Sequence, residues 1–295
     1  MKDKLFKGIY SAIFSVYDQN MKIKTETVEK IVDYQLKNGL KGFYVCGNTG
    51  ECSVLPASTR MEMLESVVKA NGGRGQIIAH IGATHFDDAK RLLEHACTQK
   101  IDAVASLPPS LTKYYAADEI FEYYKWLAAN SRYPVYAYIT PVLNCDPVVF
   151  AQKLATLDNI AGIKLTISDY YAFGNIVAAT GYKLNILNGP DETMICGLSL
   201  GADGAIGTSY NYMPATAVAI YENFKNGDIA AAREYQRRLN KYIGVNFGKS
   251  IAVWKTGMTV LGFDMGYTVF PCIMPDKNDI AAIKAQLEKI GLPVV

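Results

Sequence analysis

Gly162-Ile163-Lys164-Leu165-Thr166 is a short β-branched run carrying a single charge, and an amphipathic stretch, Asp169–Thr180, follows it after a brief turn. A period of two giving way to a period of 3.6 marks a βα unit. The same rhythm recurs on both sides of this unit. Candidate strands are Ile9–Tyr17, Gly42–Cys46, Gln76–Ile81, Ala103–Leu107, Val135–Ile139, Gly162–Thr166, Leu184–Leu187 and Gly204–Ile206. Candidate helices between and after them are Thr25–Asn38, Ala57–Asn71, His85–Lys100, Ala117–Ser131, Pro147–Leu157, Asp169–Thr180, Glu192–Leu200 and Pro214–Lys225. So even an alternation predicts a closed parallel (β/α)8 TIM barrel rather than an open doubly wound sheet. Thr25-Glu26-Thr27 and Asp118-Glu119 signal helix starts, and Asn38-Gly39 ends the first helix.

After about Asn226 the rhythm changes. Asp228–Gly248, Ser250–Leu261 and Asp276–Ile290 read as helices with no strands between them. The expected organisation is a catalytic barrel over residues 1–225 and a C-terminal extension of three helices over 226–295. No Pro-, Gly- or Ser-rich linker separates the two, so the extension should pack on the barrel.

Composition narrows the function. Half of the 295 residues are hydrophobic and 20% are charged, as in ordinary globular proteins. The 30 basic and 28 acidic residues are spread along the chain, which indicates no nucleic-acid face. No apolar run reaches the about 18 residues of a membrane span, and the N-terminus lacks a signal-peptide core, so a cytoplasmic protein is expected. Cys46, Cys52, Cys97, Cys145, Cys196 and Cys272 form no C-x-x-C pair and have no histidine at ligand spacing; they read as reduced structural thiols. His80, His85 and His95 form no metal-spaced set and receive no role.

In a (β/α)8 barrel the active site lies at the C-terminal strand ends. Lys164 and Thr166 share one face of their strand, the face directed to the lumen. A desolvated amine there holds its proton less firmly and attacks a ketone more readily. The other readings of Lys164 are an ion pair with a buried carboxylate, or a side chain reaching out to solvent. Gly47-Asn48-Thr49-Gly50-Glu51 is either an ordinary strand-to-helix turn or a carboxylate cradle, with backbone N–H groups and the Asn48 and Thr49 side chains as donors. No Gly-Lys-Ser/Thr follows it, so it is not a P-loop. Tyr138, one of 20 tyrosines, is either a packing residue or a phenol that moves protons beside an imine-forming lysine. Asp191-Glu192 either favours a helix macrodipole or accepts hydrogen bonds from a polyol.

Together these segments resemble the N-acetylneuraminate lyase and dihydrodipicolinate synthase family of pyruvate-dependent class I aldolases. The resemblance spans essentially the whole chain and rests on a G-x-T-G-E turn, a tyrosine at the end of strand five followed by Pro141, and G-I-K-x-T, in that order. It implies a barrel with three C-terminal helices, usually a homotetramer, with no metal or organic cofactor. Lys164 would form the imine with pyruvate, Tyr138 would relay protons, and Asn48 and Thr49 would hold the pyruvate carboxylate.

Within the family, synthases acting on aspartate semialdehyde carry an arginine two residues after that proline, where this chain has Leu143. Leu187–Glu192 and Gly201–Asn211 look instead like the corresponding segments of sialic acid lyases. By that similarity Asp191, Glu192, Gly189, Thr208 and Thr166 would bind the N-acetylmannosamine portion. The implied reaction is reversible cleavage of N-acetylneuraminate to N-acetylmannosamine and pyruvate. Two departures stand out. Asn48 replaces the serine of the lyase turn, and an amide does not relay a proton as a hydroxyl does. The tyrosine pair that relatives carry after strand four is displaced in register here, to Tyr114 and Tyr115. The alternatives are another aldolase or dehydratase of the family, acting on a keto-deoxy sugar acid, or a pyruvate-binding barrel without turnover.

Overall fold

The computed structural model describes residues 5–109, 115–141, 145–246 and 250–294. Leu143 and Tyr114, singled out above, lie outside the described residues, as does Gly248.

Eight parallel strands close into a barrel in sequence order: β1 Gly8–Ala12, β2 Gly42–Val45, β3 Gln76–His80, β4 Ala103–Ser106, β5 Val135–Ile139, β6 Ile160–Leu165, β7 Asn185–Asn188 and β8 Gly204–Gly207. The helices that return the chain are α1 Thr25–Lys37, α2 Ala57–Asn71, α3 Phe86–Thr98, α4 Ala117–Asn130, α5 Pro147–Leu154, α6 Tyr170–Ala179, α7 Met194–Ser199 and α8 Pro214–Lys225. Three more follow without a strand: α9 Ile229–Asn246, α10 Ile251–Val260 and α11 Lys277–Lys289. The (β/α)8 barrel with a helical C-terminal extension is therefore the observed fold. No helix among the described residues is long and apolar enough to cross a membrane.

Strand alternation divides the interior in two. Outward-facing residues such as Ile9, Phe43, Ile77, Val104, Val135 and Ile163 pack under the helices. Lumen-facing residues, among them Tyr10, Tyr44, Ile78, Ala105, Tyr136, Tyr138 and Leu187, form a second cluster inside the barrel. The lumen is thus filled with side chains, as expected for eight strands. Its lower end is sealed by a polar plug: Asn185 bonds the backbone of Phe6 in both directions at 2.9 Å, and its Oδ1 accepts from Tyr136 Oη at 2.7 Å.

Local signals account for several helix starts. Asp146 precedes Pro147 and accepts the N–H groups of Val148 and Val149, so α5 begins with a cap and a pre-set φ. Asp169 accepts from Ala172 N–H to start α6, and Glu119 reaches back to Ala116 N–H at 2.6 Å at the start of α4. Thr25 does not cap α1; the flanking residue is Lys24, whose side chain makes no cap bond.

Candidate active site

Register fixes the centre of the site. Lys164 in β6 lies directly beside Tyr138 in β5, so both side chains leave the sheet on the same side. Lys164 is 5% exposed, and its Nζ sits 4.1 Å from the ring centroid of Tyr138 and 4.4 Å from that of Tyr44. Two aromatic faces hold the amine by their quadrupoles. No carboxylate forms an ion pair with it among the described residues. Neither alternative reading of Lys164, a buried ion pair or a side chain reaching solvent, matches this geometry.

The tyrosines are set by a histidine that the sequence reading left without a role. His80 packs edge-on against Tyr138 and tilted against Tyr44, with centroids 6.4 and 5.7 Å away. Its Nε2 accepts from Leu107 N–H at 3.0 Å, which leaves Nδ1 to donate to the Cys46 carbonyl at 3.0 Å. Burial first, then Arg60 and Lys164, hold its pKa well below the ordinary 6.5, so the ring stays neutral. Arg60 is itself buried and donates to the carbonyls of His80 at 2.8 Å and Gly82 at 2.9 Å. A lone histidine at a strand end carries no local signal of this scaffolding role.

The turn after β2 reads partly as expected. Thr49 is buried and its hydroxyl lies 2.6 Å from that of Thr208, across the mouth at the end of β8. Asn48 is exposed, and its Oδ1 accepts from the Cys52 thiol at 3.4 Å. The two glycines serve the protein's own packing. A Cβ at Gly47 would fall 2.5 Å from the Tyr44 ring, and one at Gly50 2.9 Å from the Cys46 Cα. Glu51 adopts a φ of 60° and turns its carboxylate inward, where Tyr17 Oη donates to it at 2.6 Å.

Thr166, Gly189, Asp191, Glu192 and Thr208 line one cavity of about 340 Å³ at the strand ends. Thr166 connects this cavity to the lysine: its Oγ1 donates to Tyr138 Oη at 3.5 Å. Gly189 is required there, because a Cβ would sit 1.8 Å from Thr166 Oγ1. Asp191 Oδ2 accepts both the N–H and the Oγ–H of Ser209 at 2.6 Å. Burial nevertheless pushes its pKa up to about 6, the Ser209 bonds opposing. Asp191-Glu192 opens a 3-10 turn over Asp191–Thr193, and α9 clamps it: Gln236 Nε2 donates to the Asp191 carbonyl and Asn240 Nδ2 to the Glu192 carbonyl, each at 2.9 Å. The same cavity is lined by Ser168, Ile243 and Trp254, all missed in the sequence. Ile243 and Trp254 come from α9 and α10, which a search restricted to strand ends does not inspect. A larger groove of about 620 Å³ lies outside the barrel between α6, α7 and α9. The smaller cavity is joined through Thr166 to Tyr138, the neighbour of Lys164, and is therefore the candidate site.

Comparison with known proteins identifies the family. Residues 5–290 match the model of the dihydrodipicolinate synthetase family. The N-acetylneuraminate lyase of Rhizobium meliloti (strain 1021) is 31% identical over 280 residues, covering 94% of this chain and 93% of that one. Among solved structures, the Proteus mirabilis N-acetylneuraminate lyase superposes with a TM-score of 0.91 at 26% identity, covering 98% of this chain and 99% of that one. The Ruminococcus gnavus sialic acid aldolase gives 0.90 at 28%, with 97% of each chain covered. A family match over nearly the whole chain, on a barrel whose β6 lysine stands between two tyrosines, places this protein by descent as well as by shape: it belongs to the dihydrodipicolinate synthetase family.

Proposed function

We propose that the chain is a class I aldolase that cleaves N-acetylneuraminate reversibly to N-acetylmannosamine and pyruvate through an imine on Lys164. The observation that carries the reading is the Lys164 amine, buried between the Tyr44 and Tyr138 rings with no carboxylate partner among the described residues. The amine attacks the ketone carbon of the substrate and water departs, leaving an imine. In its protonated form the imine accepts the electron pair of the breaking C–C bond, and the hydroxyl on the departing carbon gives up its proton. Tyr138 Oη, in reach of Thr166 Oγ1, is the relay for that proton. The enamine then takes a proton at carbon, and water releases pyruvate and the free amine. Nothing beyond the lysine and the substrate is needed as electron sink, so the proposal includes no metal or organic cofactor.

Substrate choice rests on the cavity that begins at Thr166. Asp191, Glu192, Thr166 and Thr208 present acceptors and hydroxyls where a polyol chain would lie. The relatives named as N-acetylneuraminate lyases support the same choice. A four-copy assembly in the cytoplasm belongs to the reading as well, and Phe86 and Tyr115, 45% and 40% exposed, leave apolar surface for contacts between copies.

Pyruvate release from N-acetylneuraminate tests the proposal directly. Turnover of a keto-deoxy sugar acid without turnover of N-acetylneuraminate would assign the chain to another aldolase of the family. Absence of a borohydride-trapped pyruvate adduct would reduce it to a binding protein.

A further inference from the structure

The turn that follows β2 is held from outside the barrel by a residue 204 positions away in the chain. Lys255 lies in the middle of α10, in Ile251-Ala252-Val253-Trp254-Lys255-Thr256, and its side chain is fully buried. Its Nζ is 3.2 Å from Glu51 Oε1, stands 4.0 Å from the centroid of the Tyr17 ring, and donates to the Tyr267 carbonyl. Tyr17 closes the cluster by donating to Glu51 Oε2. A buried ammonium and a buried carboxylate are costly to desolvate, and breaking such a pair leaves an uncompensated charge. Neither residue touches the cavity, and neither enters the proposed chemistry.

The geometry shows what the pair does. Glu51 holds a left-handed backbone that a side chain adopts only where its surroundings enforce it. Its N–H closes onto the Asn48 carbonyl at 3.0 Å, and Ser15 Oγ donates to the Gly50 carbonyl at 2.8 Å. The backbone of Asn48-Thr49-Gly50 is therefore bent between two anchors, one at Ser15 in the loop after β1 and the other at Lys255. The Thr49 hydroxyl, 2.6 Å from Thr208, is aimed by that bend.

We propose that Lys255 is a positioning residue for keto-acid binding: acting through Glu51 and Tyr17, it fixes the turn whose Thr49 receives the substrate carboxylate. The inference rests on the imine reading above for the identity of the ligand. Burial draws the Lys255 pKa down to about 8, while Glu51 pulls it back up; Tyr17 and Cys272 are the other titratable groups against it. The ammonium is thus charged at neutral pH, as the pair requires.

The test uses the full-length chain and reads the pyruvate concentration that gives half-maximal borohydride adduct on Lys164, by mass spectrometry. Lys255→Met raises that concentration about tenfold or more and leaves the saturated adduct unchanged, since an uncompensated Glu51 releases the turn. Tyr17→Phe removes one hydrogen bond to Glu51 and raises it about threefold; this variant carries the test if Lys255→Met does not fold. Leu287→Ala opens a cavity under α11 and lowers the melting temperature of the same helical extension, yet leaves pyruvate half-saturation unaltered. An unshifted half-saturation in the Lys255 and Tyr17 variants overturns the proposal. An equal shift in Leu287→Ala overturns it too, because the pair would then be a stability element only. A wild-type chain that forms no adduct at any pyruvate concentration rejects the imine reading itself, and the inference with it.

Discussion

The surroundings of Lys164 and the cavity around Asp191 are built from different materials. Around Lys164 the walls are ring faces from β2 and β5, placed by strand register, with a neutral His80 behind them. Around Asp191 they are turns after β6, β7 and β8, shaped by a glycine against Thr166 and clamped by Gln236 and Asn240 of α9. A sheet gives its side chains almost no latitude, whereas a turn held by a few side-chain bonds can be re-aimed by a single substitution. Reaction type should therefore reside in the first region and substrate preference in the second. Substitutions in each region should fail in different ways.

The largest effect should come from Lys164→Met. It removes the nucleophile, so no pyruvate adduct should form under borohydride, and kcat/KM should fall by about 10⁴ or more. An adduct mapped by peptide analysis to another lysine would break the comparison at its stronger end. Tyr138→Phe should cost less and in another currency. The amine remains between two rings, so trapping persists, while kcat drops by about 10² to 10⁴ through loss of the proton relay. An unaltered kcat would shift that role to a residue of the second region, Thr166 or Thr208.

The same contrast governs what could be read without coordinates. The strands around Lys164 are visible as short apolar runs, and the adjacency of β5 and β6 follows from their order in a closed barrel, whereas the register that joins Tyr138 to Lys164 is set past a shift at Val135/Tyr136. Boundaries differ where composition is not decisive: Ile13–Tyr17 is rich in β-branched and aromatic residues and buried, but β1 ends at Ala12 and the rest is loop. β6 begins at Ile160, two residues early, beside an irregularity in its pairing with β5. The helix expected from Glu192 starts as a 3-10 turn, because α9 holds the carbonyls of Asp191 and Glu192. In the cavity around Asp191 the missing residues are tertiary ones. Ser168 sits just past the strand, and Trp254 and Ile243 belong to helices outside the barrel. Away from that cavity, under the turn after β2, Glu51 meets Lys255 only after 204 residues of chain. In the turn after β2, Thr49 is buried while Asn48 is exposed and accepts from the Cys52 thiol, a difference that the segment Gly47–Glu51 does not show by itself. Lys255 did leave a trace in the sequence, as the lone charge in the middle of an otherwise apolar helix. Such a residue on a buried face needs a partner.

The smallest effect, and the one that sharpens the second region, is a pH dependence centred on Asp191. Its carboxyl is raised to about 6 by burial, whereas in the unfolded chain it titrates near its ordinary value of 3.8. Between those values the folded state binds more protons than the unfolded one, so the stability this group contributes is present at low pH and is lost as pH rises toward 6. The full excursion is worth at most about 3 kcal/mol. Thermal unfolding should show a melting temperature that falls across this window in the wild type, and Asp191→Asn should flatten the slope. Binding runs in the opposite sense. The ionised carboxylate accepts both Ser209 bonds on Oδ2 and offers a charged acceptor at Oδ1, a stronger partner for a polyol hydroxyl than the neutral acid. The KM for N-acetylneuraminate should therefore rise severalfold as pH drops below about 6, with pyruvate half-saturation at Lys164 showing no matching step. The two profiles crossing in opposite directions at one residue is what a recognition carboxylate requires. A KM that follows stability instead would make Asp191 a purely structural anchor for Ser209 and leave Glu192 to bind the sugar.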